Sequence, residues 1–388
     1  MESWSLDAPS QRLPVSLLTG FLGSGKTTVL NHLLRQPELA KTLVIINEFG
    51  EIGLDHELVE RSSEDMVLLQ SGCLCCTIRG DLINTMRNLF LRRTRGEIPE
   101  FDRVVIETTG LADPAPILHT LMADPLVAAR YRLDGVITTI DAANGQQTLD
   151  RQAESVKQAA VADRLLLTKT DLVEPDVAAA LRRRLNALNP GAPIMRTNNG
   201  SVDPAKLLDT GLYNPKTKSL DVQRWLNAEA FNDSDHRHEP QHDHGNDRNH
   251  GADGHHHHED VNRHDDHIRA VCLTLDDPIP GDAFDGWLET LLQLKGPDIL
   301  RVKGIVNVEG LKGPLVIHGV QHIFHPPVML EQWPGKDRRT RIVFIARDLH
   351  EMELRNTLSM FTDGWTRPPE RLSNASGDSD VGISEVQT

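Results

Sequence analysis

Gly20-Phe21-Leu22-Gly23-Ser24-Gly25-Lys26-Thr27 is a complete G-x-x-x-x-G-K-[ST] phosphate loop, set between the apolar run Val15-Ser16-Leu17-Leu18 and a segment of helical character. The glycines let backbone N–H groups curl round phosphate oxygens at the start of a helix. Lys26 can span the β and γ oxygens, and the Thr27 hydroxyl suits Mg²⁺. Gly20, Gly23, Ser24, Gly25, Lys26, Thr27 and Thr28 are therefore the phosphate-side candidates, and a nucleoside triphosphate is the expected ligand. An ordinary glycine-rich turn is the alternative, and the strand-loop-helix setting disfavours it.

Working outward, short apolar runs at 43–46, 66–69, 103–106, 135–140 and 165–167 alternate with helical patterns as far as Trp225. That alternation predicts an α/β P-loop G domain with a mostly parallel sheet, its ligand beyond the carboxyl ends of the strands. From 232 to 267 aliphatic residues nearly vanish and Asp, Asn, Gly and His take over. Such a segment cannot offset its ordering entropy by burial. After Ile268 the apolar pattern resumes: strands at 270–275, 301–308, 315–320 and 341–346, a helix at 282–294 and a closing helix. A smaller α+β C-terminal domain is the expectation. The proposed division is an extension at 1–12, the G domain at 13–230, a His-rich flexible linker at 231–267, the C-terminal domain at 268–366 and a disordered tail at 367–388.

Ser71-Gly72-Cys73-Leu74-Cys75-Cys76 holds three of the chain's four cysteines. So few thiols, so unevenly spaced, do not make a disulfide framework; clustered, they suit metal or redox work in a reducing compartment. Thiolates favour Zn²⁺, Cu(I) or Co²⁺ over Mg²⁺ or Ca²⁺. Cys73, Cys75 and Cys76 are thus candidate metal ligands, with an inert buried thiol patch as the bland alternative.

Two motifs bear on the base and the reaction. Thr168-Lys169-Thr170-Asp171 follows an apolar run and is like the N-K-x-D element of GTPases, with Thr for Asn. A carboxylate at Asp171 can accept from guanine N1–H and the N2 amine, and the Lys169 stem can lie along the base. GTP is favoured over ATP, although loss of the Asn amide is expected to weaken the bracing of neighbouring loops. Arg103 to Gly110 reads R-V-V-I-E-T-T-G, a strand ending in an acid. Glu107 is placed to hold the Mg²⁺ shell through water and Gly110 to meet the γ-phosphate. The catalytic candidates are Lys26, Thr27 and Glu107. With no clear base or arginine finger, intrinsic hydrolysis should be slow.

Together G-F-L-G-S-G-K-T-T, Ile46-Asn47-Glu48-Phe49-Gly50-Glu51, G-C-L-C-C, E-T-T-G and T-K-T-D resemble the CobW-type family of metallochaperone GTPases, in order and in spacing. The likeness covers 15–225, and 268–361 is similar to the family's C-terminal domain. It implies a GTPase that carries a transition metal to a client protein, with a His-rich segment joining the domains. On that reading the γ-phosphate orders the loop after 43–46 and brings Glu48 or Glu51 towards the three cysteines. Zinc is the favoured cargo and cobalt the next. The client is not legible: a zinc enzyme, a cobalamin-pathway enzyme and a nitrile hydratase would be served by the same G domain. A metal buffer regulated by nucleotide and a cysteine redox sensor remain as competing readings.

Composition sets outer bounds. A formal charge of −15 and a pI near 5.6 argue against nucleic acid or an anionic membrane as partner. With no leader-like or spanning stretch, a cytoplasmic address is expected. Homo-oligomerisation is left open. The linker carries eleven of the 18 histidines: His236, His238, His242, His244, His250, His255, His256, His257, His258, His264 and His267. They offer weak, exchanging sites for Zn²⁺, Ni²⁺ or Co²⁺, as a collecting antenna or else a soluble spacer. Cys272 reads as a packed core thiol and His318, His322 and His325 as surface or core histidines, while an approach of His119, nine residues after E-T-T-G, to the switch region is disfavoured.

Overall fold

The computed structural model describes residues 12–47, 59–63, 66–69, 74–77, 82–211, 213–214, 219–220 and 267–362. Of the sequence candidates, Glu48, Glu51, Cys73, most of the His tract, the first eleven residues and the tail lie outside them.

The chain opens with β1 (Leu13–Gly20), α1 (Lys26–Leu34) and β2 (Thr42–Asn47). Three short strands follow, β3 (Val59–Ser63), β4 (Met66–Leu69) and β5 (Leu74–Thr77), then α2 (Leu82–Thr94) and β6 (Arg103–Thr108). Next come α3 (Ala115–Ala123), α4 (Pro125–Arg130), β7 (Tyr131–Asp141), α5 (Gly145–Arg151), α6 (Ala153–Ala160) and β8 (Arg164–Thr168). The domain closes with α7 (Pro175–Leu188), β9 (Ile194–Arg196), α8 (Pro204–Leu207) and a small hairpin of β10 (Tyr213–Asn214) and β11 (Ser219–Leu220).

The nine-stranded sheet runs β3-β4-β5-β2-β6-β1-β7-β8-β9. From β5 to β9 every pairing is parallel; β4 and β3 add an antiparallel edge. The central strands read as near-continuous apolar runs because helices cover both of their faces. Alternate residues sort between two cores. Leu17, Ile45, Val104 and Ile106 pack with α2 to α4 through Met86, Leu89, Leu118 and Leu121. Leu18, Val44, Ile46 and Val105 pack with α1 through Val29, Leu30, Leu33 and Leu34.

The second domain is antiparallel, as expected of an α+β unit. Its strands are β12 (Ile268–Leu275), β13 (Ile299–Val306), β14 (Leu315–Val320), β15 (Ile323–Phe324), β16 (Val328–Met329) and β17 (Thr340–Arg347). They lie in the order β12-β17-β13-β14-β15, with β16 also on β14. Helices α9 (Gly281–Lys295) and α10 (Glu351–Thr362) cover one face through Phe284, Trp287, Leu291, Leu354 and Leu358, and the Trp287 indole N–H donates to Thr357 Oγ1 at 3.1 Å. No helix among the described residues is long and apolar enough to cross a membrane.

The opposite face of that sheet docks on the nucleotide domain. Ile268, Leu300 and Ile345 join the core of α6 and α7 with Val156, Leu181, Leu185 and Leu188. Beside them Asp163 Oδ1, at the entry to β8, accepts from Arg301 Nη2 at 2.6 Å and Lys303 Nζ at 2.7 Å, both on β13. Its Oδ2 accepts from the Val136 N–H at 2.9 Å. Burial raises this carboxyl's pKa, but the Arg301 and Lys303 charges outweigh that and hold it far below the usual carboxylate range.

Removing this carboxylate takes the counter-charge from the buried Arg301 guanidinium, so Asp163→Asn should lose about 3–5 kcal/mol of unfolding free energy in urea titration. With a folded pKa below the unfolded one, the wild-type contribution is complete above about pH 4 and fades as the solution is acidified further. The variant should lack that acid-dependent component.

Candidate functional site

The phosphate loop leaves β1 at the centre of the sheet and turns into α1 through Gly25, whose φ of +93° is the left-handed conformation that favours glycine. Lys26 Nζ lies in the curl of the loop and donates to the carbonyls of Gly20 at 2.9 Å and Phe21 at 3.2 Å. The next residue, Thr27, donates from Oγ1 to Glu107 Oε1 at 3.0 Å, across 80 positions of sequence. Glu107 is buried near the end of β6, in register with Leu18 of β1 and Ile46 of β2. A hydroxyl and a carboxylate converging beside a phosphate loop are a hard-oxygen pair of the kind Mg²⁺ prefers. Thr28, the last of the phosphate-side candidates, lies in the first turn of α1.

Gly110 follows Glu107 and approaches the loop from the other side. A Cβ there would fall 2.6 Å from the Leu22 nitrogen, so only glycine permits this backbone approach. Its carbonyl and that of Ala112 accept from Gln158 Nε2 at 3.2 and 3.0 Å, and Lys157 on the same helix reaches Asp113 Oδ2 at 2.9 Å. Helix α6 therefore supports the segment that the sequence expects to sense the γ-phosphate. Sequence reading missed Gln158 and Lys157, and nothing in their helix's pattern singles them out.

The base side forms at the ends of β7 and β8. Lys169 adopts φ +55° and its Nζ bonds Asp141 Oδ2 at 2.8 Å. Burial works against the Asp141 charge, but the bonds from Lys169, from Asn144 Nδ2 and from the Ala143 N–H prevail and lower its pKa. Asp171 lies exposed in a 3₁₀ turn at Thr170–Leu172. Asp141 is a third residue that sequence reading passed over. It carries the signal used for Glu107, an acid closing an apolar run.

Thr168 corrects an expectation. Its hydroxyl donates to the Ser24 carbonyl at 2.7 Å, tying the base element to the phosphate loop, while Ser24 Oγ lies 2.6 Å from Thr139 Oγ1. The brace expected to go with the asparagine amide is thus supplied by a shorter side chain, because β8 brings Thr168 against Gly25, where a Cβ would meet Thr168 Cγ2 at 3.3 Å. The loop at 197–201 closes the same rim: Gly200, at φ +78°, would put a Cβ 2.5 Å from the Thr28 carbonyl.

Of the metal candidates, Cys75 and Cys76 lie within β5. Their backbones pair with Val44 and Ile45 of β2 on one side, and with Val67 and Met66 of β4 on the other. The run Leu-Cys-Cys-Thr is strand-forming in itself and fills the place beside β2. Among the described residues no group of three or more His, Cys, Asp or Glu is close enough to hold a metal ion. In the second domain His318 is half-buried in β14. Its own burial, then the neighbouring charges of Arg301 and His325, depress its pKa, and burial takes His325 down to about 4. His119 on α3 bonds the Val320 carbonyl at 2.9 Å and stacks edge-on with His322. Cys272 is a half-buried thiol in β12, its Sγ 3.8 Å from Thr274 Oγ1.

This sheet order and phosphate loop, with a separate antiparallel domain behind, define a P-loop GTPase with an appended α+β unit. The profile of the family described as "CobW/HypB/UreG, nucleotide-binding domain" matches residues 14–196, and that of "Cobalamin synthesis protein cobW C-terminal domain" matches 268–362. The chain is 31% identical over 343 residues to the zinc chaperone YjiA of Escherichia coli, covering 88% of this chain and 96% of that one. It is 34% identical over 229 residues to the zinc-regulated GTPase metalloprotein activator 1 of Schizosaccharomyces pombe, covering 56% and 54%. The crystal structure of Zn(II)-bound YjiA GTPase superposes with a TM-score of 0.66 at 30% identity, over 90% of this chain and 99% of that one. The chain belongs to the CobW family.

If the Thr168 hydroxyl braces the phosphate loop, Thr168→Ala should forfeit about 1 kcal/mol, or roughly fivefold in GTP affinity by calorimetry. Thr168→Ser should retain most of it.

Proposed function

We propose that this protein is a slow GTPase that loads a transition metal, zinc foremost, in its GTP state and hands it to a client metalloprotein. The observation that carries this reading is the adjacency of β5, β2 and β6. Cys76 is in register with Ile45, and Ile45 with Ile106, next to Glu107. Two strand spacings put the cysteine strand's backbone about 10 Å from the strand that carries the Thr27-linked acid. β2 lies between them and leads directly into Asn47-Glu48-Phe49-Gly50-Glu51. The peptide that would wrap the triphosphate therefore starts from the strand that flanks the cysteines.

In this scheme Gly20, Gly23, Ser24, Gly25 and Thr28 cradle the phosphates, Lys26 bridges the β and γ oxygens, and Lys169 and Asp171 select guanine. Thr27 and Glu107 would hold Mg²⁺, which would neutralise charge on the β and γ oxygens when bound. Gly110 would report the γ-phosphate. Cys73, Cys75 and Cys76, completed by Glu48 or Glu51, form the cargo site. Thiolates with one carboxylate suit Zn²⁺ and accept Co²⁺. The relatives named as zinc chaperones and zinc-regulated activators, and the Zn(II)-bound YjiA, favour zinc. The division at 13–230, 231–267 and 268–366 places a histidine tract next to both domains as a low-affinity collector. The client would be recognised by the second domain.

Competitive titration against chelators of known affinity tests this directly. Zinc should bind about 100-fold tighter with a non-hydrolysable GTP analogue than with GDP, a coupling of about 3 kcal/mol, and zinc should tighten the analogue by the same factor. Equal affinities would end the carrier reading. Replacing Cys75 and Cys76 by serine should abolish the tight site, while deleting 235–266 should remove only weak binding.

A further inference from the structure

The joint between the domains contains a cleft of about 20 Å³ lined by Asp163, Asn189, Gly191, Arg301 and Lys303, with an apolar wall from β17. Of its charged lining residues two are cations and one is a carboxylate. Two cations, Arg301 and Lys303, share the single carboxylate of Asp163, whose other oxygen is taken by the Val136 N–H. The Arg301 side chain is only 5% exposed, and its Nε and Nη1 are buried without a hydrogen-bond acceptor among the described residues. A guanidinium carries five N–H donors, and each one buried without an acceptor is destabilising. Asn189, the other polar side chain at the cleft, does not relieve this; its amide nitrogen donates to the carbonyls of Ala159, Ala160 and Ala162 at 3.0 Å each. Burial takes the Lys303 pKa down to about 8, against the opposing pull of Asp163 and with a smaller contribution from the Arg301 charge.

We propose that this cleft binds one small anion, of the size of chloride or a single carboxylate group, which bridges the β13 cations to the nucleotide domain. About 20 Å³ exceeds the roughly 10–15 Å³ that one water needs and leaves no room for an enclosed tetrahedral phosphate. An anion there supplies acceptors to Arg301 Nε and Nη1, which find none among the described residues. It binds only the docked arrangement of the domains, so it stabilises that arrangement by mass action. The site is independent of the phosphate loop and of the cysteines.

The test is a thermal-unfolding titration of the full chain with sodium chloride, and separately with sodium acetate, against sodium methanesulfonate at constant ionic strength. A saturable rise in melting temperature is expected with at least one of the two. Chloride alone identifies a halide site, acetate alone a carboxylate site. The rise should vanish in Arg301→Met and shrink in Lys303→Gln, which keeps the Arg301–Asp163 pair. Crystals of wild-type protein grown with bromide should give an anomalous peak between Arg301 and Lys303 if the site takes halide. A flat response to both salts, with water alone in the cleft, overturns the proposal.

Discussion

Parallel pairing of β1 with β6 and β7 is the constraint from which the rest follows. Strands that run the same way end on the same edge, so the phosphate loop, Glu107, Asp141 and Thr168 all emerge together although more than a hundred residues separate the first from the last. Once that edge is fixed, short side chains suffice to finish the site. Thr27 reaches Glu107, Thr168 reaches the Ser24 carbonyl and Lys169 reaches Asp141, each within ordinary hydrogen-bond distance.

The parts of this fold that sequence revealed are those buried on both faces. β2, β6 and β8 appear as unbroken aliphatic runs because helices leave them no solvent side, and β14 at Leu315–Val320 coincides with its expected limits. The hidden parts are short or doubly informative. β9 has three residues, and β5 was read for thiol chemistry when its backbone also completes the sheet. Motif spacing located Lys26, Thr27, Glu107 and Gly110, since each belongs to a local pattern. It could not locate partners defined by tertiary approach alone. Asp141 declares its role only when Lys169 folds onto it, and Asp163 meets Arg301 across 138 positions.

That last contact links the two domains electrostatically as well as mechanically. A carboxylate taken out of water is stable only with its cations beside it, so the C-terminal sheet must be seated for Asp163 to stay charged and buried. Asp163 leads straight into β8, whose far end is Thr168. One short strand therefore connects the domain joint to the rim of the nucleotide site.

Helix α3 makes a second, more direct connection. It begins five residues after Gly110, and its His119 is bonded to the Val320 carbonyl at the β14–β15 turn. Nine residues of helix span about 13 Å, so a tilt of about 10° at the Gly110 end would carry the far end roughly 2 Å. A lever of that length turns a small adjustment at the Gly110 turn into a displacement where the helix packs against Val320 and Ile323. Through that one rod, movement at the turn is mechanically coupled to the C-terminal sheet.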